Sequence, residues 1–92
     1  MTPSEEILFA EAVLGKEAEE FLASQVGRYL VGRAEQEERE ALNLLATVSP
    51  WRRNRIRQLQ CDVAVARSIK GWLAEMITAG NAAMHQLELS QD

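Results

Sequence analysis

The sequence predicts an all-α fold: a long antiparallel helical hairpin with a short N-terminal helix near its open end. Three observations carry this reading. Val, Ile and Thr never alternate with polar residues over a useful length, and no Asn-Gly or Asp-Gly turn occurs, so strand signals are missing. Helix-starting residues stand at Thr2-Pro3 and at Ser49-Pro50. Between and after them, apolar residues recur at spacings of three and four, the helical period.

Taken in order, Thr2-Pro3-Ser4-Glu5 reads as a capping box, with Thr2 as N-cap, Pro3 at the first helical position and Glu5 reaching back. The first helix then covers about 3–14 and stops at Gly15. Residues 17–46 contain no proline and read as a second helix. Gly27 and Gly32 weaken it by roughly 1 kcal/mol each relative to Ala where exposed. Ser49 is the expected cap of a third helix over 50–79, with Pro50 at its first position and Gly80-Asn81 as its end. Residues 81–92 add a turn or two and finish in a partly frayed polar tail, Ser90-Gln91-Asp92. Helices two and three each span ~45 Å, and the short link Thr47-Val48-Ser49 folds them back antiparallel.

The 92 residues, 47% hydrophobic and 26% charged, allow one domain over 1–92 and exclude a disordered acidic tail. The lone Cys61 forms no internal disulfide, which points to a reducing cytoplasm. Glu5, Glu6 and Glu11 interrupt any secretion signal, and no stretch reaches the ~18 apolar residues of a membrane span, so no membrane partner is expected. The net charge of −4 argues against a domain-wide nucleic-acid footprint. Ten acids and four bases fall in residues 1–46, four acids and six bases in 47–92, so the halves are complementary and are expected to face each other.

On a helical wheel, helix three carries two apolar stripes about 120° apart. Ile56, Leu59, Val63, Ala66, Leu73 and Ile77 form a heptad-like seam that skips one position at Lys70. Cys61, Val65, Ile69, Trp72 and Met76 form the second stripe. Helix two carries Leu22, Val26, Tyr29, Leu30, Ala34, Ala41, Leu44, Leu45 and Val48, with Arg33 and Glu37 inside that stripe. A polar layer of Arg33, Glu37, Asp62 and Lys70 is therefore expected in the seam, fixing register. Within it, Asp62 should be at least half buried against a base, Arg33 foremost. Helix two can cover only one stripe of helix three, and a helix one of ~15 Å about a third of the other. A homodimer, or docking of another helical protein, through Cys61, Val65, Ile69, Trp72 and Met76 is the expected remedy, with Trp72 near the centre of the contact.

Catalytic and metal chemistry find little purchase. A triad centred on His85 needs partners, and Ser24 and Cys61 are expected on helices elsewhere, so a surface histidine is the favoured reading. Cys61 lies on an apolar stripe and reads as a small buried hydrophobe. Ala82 stands where a Glu-x-x-His di-iron motif needs its acid, and one Cys and one His cannot make a zinc site. The stretch ending in Gly15-Lys16 lacks the first glycine and the following Ser or Thr of a phosphate loop. No cofactor is expected. The sharpest local signal is Trp51-Arg52-Arg53-Asn54-Arg55-Ile56-Arg57, in which four arginines beside an aromatic suit phosphates and a base. Glu35, Glu37, Glu38 and Glu40 are expected to fold back near these arginines. Internal pairing with them is favoured over nucleic-acid binding.

Two stretches, Val26-Gly27-Arg28-Tyr29-Leu30-Val31-Gly32-Arg33-Ala34-Glu35 and Ile56-Arg57-Gln58-Leu59-Gln60 with the later Gly71-Trp72-Leu73, resemble small helical proteins encoded in tailed bacteriophages and prophages. The resemblance spans about residues 9–80. It implies a bacterial host cytoplasm and a phage-related part in particle assembly or DNA packaging, and carries over no catalytic or ligand residue. The expectation is a non-enzymatic interaction or assembly protein; the alternative is a nucleic-acid-binding accessory protein using Arg52, Arg53, Arg55 and Arg57.

Overall fold

The computed structural model describes residues 1–90, and the end of the expected frayed tail, residues 91–92, lies outside them. Three helices follow one another: α1 (Pro3–Ala23), α2 (Gln25–Thr47) and α3 (Arg53–Ser90). Among the described residues there is no strand.

The capping box stands as the sequence predicts. The Thr2 hydroxyl accepts from the Glu5 amide at 3.2 Å, and the Thr2 amide donates to the Glu5 carboxylate at 3.4 Å. Other boundaries differ from expectation. The first helix does not stop at Gly15 but continues to Ala23, 21 residues in all. The break falls at Ser24, whose extended backbone (φ −72°, ψ 160°) ends α1 and starts α2. Its hydroxyl accepts from the Gly27 amide at 2.9 Å and donates to the Phe21 carbonyl at 2.6 Å, so one side chain serves both helix ends. The following turn folds so tightly that a Cβ on Gly27 would fall on the Phe21 carbonyl.

Ser49 is not the cap of the third helix. Its carbonyl accepts from the Arg52 amide at 3.0 Å in a tight turn containing Pro50, and α3 starts only at Arg53. Nor does Gly80-Asn81 end that helix, which runs on to Ser90, 38 residues or roughly 57 Å. Gly15 and Gly80 read as helix stops because glycine favours the left-handed cap conformation. Neither has a positive φ. Both are buried helix-interior positions set against each other, and a Cβ on Gly15 would lie 2.7 Å from the Gly80 Cα and 2.9 Å from the Met76 carbonyl oxygen.

Contacts along α3 divide it in two. Its C-terminal part, with Gly80, Ala83 and Leu87 buried, packs on α1, where Ala12, Gly15 and Ala18 are buried. Its N-terminal part packs on α2 through a cluster of Ala41, Leu59 and Val63 with Leu45 beside it. Residue numbers fall along α1 and α2 as they rise along α3, so the packing is antiparallel.

The seam on α2 is rotated from the one the sequence suggests. Gly27, Val31, Ala34, Glu38, Ala41, Leu45 and Val48 are the buried or half-buried positions, at spacings of four and three throughout. Val26, Tyr29, Leu30 and Leu44, expected in the seam, are exposed. The seam of α3 is as expected, with Leu59, Val63 and Ala66 buried and Ile56, Leu73 and Ile77 half-buried.

The result is a thin rod, 62 × 27 × 15 Å, with a radius of gyration of 18.6 Å. A compact domain of this length has one of about 12 Å. Among the described residues the buried apolar side chains are mostly alanine: Ala12, Ala18, Ala34, Ala41, Ala66 and Ala83, against Leu59, Val63 and Leu87.

Candidate functional site

Two surfaces follow from this geometry: an apolar face beside the α2–α3 seam and a basic tip where α2 turns into α3. The face is the second stripe of α3. Val65 is 60% exposed, Trp72 63% and Ile69 39%. Met76 is half-buried. Cys61 is exposed, which corrects its reading as a buried hydrophobe. A groove lined by Ala41 and Leu44 of α2 and by Leu59 and Val65 of α3 joins this stripe to the apolar residues that α2 leaves uncovered. Glu37, Glu40, Arg55 and Asp62 rim it, so the face carries both signs of charge.

The polar layer expected in the seam is divided. Asp62 is exposed and makes no ion pair among the described residues, so its burial against Arg33 does not hold. Arg33 instead pairs with Glu37 one turn on, Nε to Oε1 at 3.1 Å, and donates to the Tyr29 hydroxyl at 3.3 Å, all on the exposed side of α2. The Tyr29 hydroxyl, then the Glu37 carboxylate, hold the Arg33 guanidinium above its ordinary pKa. Lys70 does lie at the seam, but it meets Glu35 at 3.9 Å and Glu38 at 3.4 Å.

Glu38 is the polar residue of the seam. Its side chain is only 16% exposed, and its Oε1 accepts from Arg67 Nε at 3.0 Å. Its Oε2 is buried and accepts no hydrogen bond, and is met only by the charge of Lys70. The hydrogen bond from Arg67 is the main cause that holds this carboxyl below the usual carboxylate range, against the opposing effect of desolvation; Lys70 adds to it. The two halves of the chain therefore do meet through opposite charges, at one level of the rod. Heptad spacing from Ala34 and Ala41 would have found Glu38; a wheel weighted by large apolar residues points one position away, to Glu37.

At the tip, Trp51 is 91% exposed. Trp51, Arg52, Arg53, Asn54 and Arg55 line a shallow depression. Arg55 donates to the Gln58 side chain at 3.2 Å. Pairing of the tip arginines with the helix-two acids does not occur. Among the described residues, Arg52, Arg53, Arg55 and Arg57 make no ion pair, while Glu35, Glu37 and Glu38 engage Lys70, Arg33 and Arg67.

His85 is exposed near the C-terminal end of α3, and Ser24 is occupied as a double cap. Among the described residues no cluster of three His, Cys, Asp or Glu could hold a metal ion. No described helix is long and apolar enough to cross a membrane. No protein-family model, no curated protein and no solved structure matches the chain.

Proposed function

We propose that this chain is a non-enzymatic interaction or assembly protein that works through helix–helix contacts. In this reading it is a helical hairpin that pairs with a second copy through Cys61, Val65, Ile69, Trp72 and Met76, four long helices forming the joint core with α1 alongside. The observation that carries the reading is the uncovered apolar face of α3, where Val65, Ile69 and Trp72 are exposed and Val65 shares a groove with Leu44 of α2. Soluble monomers rarely leave so long a strip in water.

Area favours a second copy as occupant. The chain exposes 7059 Å², where a compact 10.3 kDa monomer exposes about 5,400 Å². Obligate homodimers take about 1,000 Å² or more from each chain, which this excess supplies. Under a two-fold axis, Arg55 of each copy would have Glu37, Glu40 or Asp62 of the other to meet across the rim. The phage and prophage resemblance supplies the proposed setting, the cytoplasm of a bacterial host.

Sedimentation equilibrium at micromolar concentration tests this. The unmodified chain should run at twice 10.3 kDa, and Trp72→Asp should dissociate it while far-ultraviolet circular dichroism stays helical. A 10.3 kDa monomer of the unmodified chain would sink self-association.

A further inference from the structure

We propose that the tip between α2 and α3 is a binding site for single-stranded nucleic acid, adjoining the apolar face only at Arg55. Between Glu40 and Asp62 the chain has no acidic residue and four arginines, Arg52, Arg53, Arg55 and Arg57. Of the helix-two acids, Glu38 is held by Arg67 and Lys70, Glu35 by Lys70 and Glu37 by Arg33, while Glu40 accepts from Gln36 and comes near the cluster only at the groove rim it shares with Arg55. The four guanidiniums keep their donors for an outside anion, apart from the one bond from Arg55 to Gln58. Their planar forks match phosphate oxygens.

Trp51 decides which anion. Its indole is almost wholly in water and contributes little burial to the fold, yet it shares a surface depression with Arg52, Arg53, Asn54 and Arg55. A flat aromatic beside guanidiniums stacks on an unpaired base while the arginines take the flanking phosphates. A duplex keeps its bases stacked inside and offers the indole nothing, and an acidic peptide would use the arginines but not the ring. The remainder of the chain is acidic, with six glutamates and one lysine in residues 1–20, which repels a polyanion and confines contact to the tip.

A labelled oligothymidylate of about a dozen nucleotides, titrated by fluorescence anisotropy, tests the site. Trp72→Phe leaves Trp51 as the sole indole, whose emission is followed in parallel. The expected result is saturable binding that quenches Trp51, with log K falling against log salt at a slope of about −3, for four phosphates on a single strand. Trp51→Ala should weaken binding roughly tenfold, and Arg52→Gln with Arg53→Gln should remove most of it. Both exposed changes should leave circular dichroism and sedimentation mass unaltered, which separates this site from the dimer face. Lack of binding at low salt overturns the proposal. So does equal binding of duplex, or equal competition by polyglutamate with no effect of Trp51→Ala, which would make the tip a dock for an acidic protein segment.

Discussion

Where α3 meets α1, Gly15 and Gly80 bring the two backbones so close that neither position has room for a Cβ. Where it meets α2, the contact is made by Ala41, Leu59 and Val63, with Glu38, Arg67 and Lys70 fixing the level. The first contact is set by close packing, with no ion pair across it among the described residues. The second has a directional, charge-dependent element whose strength follows ionisation and screening. The same helix thus holds two neighbours by two kinds of specificity, and each should fail under different insults.

The largest effect should come from the close-packed half. Gly80→Val drives a branched side chain into the α1 backbone and should cost about 3 kcal/mol, read as a lower urea midpoint that salt does not restore. An unchanged midpoint would mean that the helices lie further apart. Next comes the link between the halves: Ser24→Ala removes both the Gly27 cap and the bond to the Phe21 carbonyl and should cost ~1 kcal/mol. A loss confined to the noise of the urea curve would show that the break does not depend on its cap.

Gly32 supplies a control of opposite sign. It is exposed, with open space where a Cβ would stand, so Gly32→Ala should raise stability by roughly 0.5–1 kcal/mol. A loss on that substitution would place Gly32 in a contact. The smallest effect at neutral pH should be that of Glu38→Gln. Because folding depresses the Glu38 pKa, its contribution is present above the ordinary carboxylate value, about 4.3, and is lost as pH falls through the folded one. The unfolding midpoints of Glu38→Gln and the parent should therefore differ at pH 7 and converge in acid. A gap that persists in acid would remove the carboxylate from the account.

Local signals in the sequence were legible where local chemistry decides. The Thr2 box is complete within four residues, and the seam of α3 follows from its Leu, Val and Ala spacing. The rest depended on a partner that no local window contains. Gly15 and Gly80 carry the residue type of a helix stop and become helix interior only because each faces the other. Ser24 caps two helices with no proline or acidic box to announce it, between stretches that both favour helix. On α2, a close-packed seam selects Ala34 and Ala41, since small side chains let helix axes approach. Val26, Leu30 and Leu44 are thereby displaced to the flank, which a wheel weighted by hydrophobicity reverses. For the candidate surfaces, the stripe of Val65, Ile69 and Trp72 and the tip of Trp51 and its arginines could be read from spacing. Which acids would reach the arginines could not, because it turned on Glu38 lying in the seam.

The pairing order along α3 also fixes an order of assembly. Ala41 and Leu59 are 18 residues apart, Glu38 and Arg67 29, Gly15 and Gly80 65. Closing the widest of these loops from an open chain costs about 1 kcal/mol more than closing the narrowest. Chain entropy therefore favours a nucleus beside the turn at Pro50, from which contacts zip outward one helical level at a time and reach the glycine pair last. The same ladder run backwards makes the α1 end the first to open, so amide hydrogens there should exchange ahead of those around Leu59.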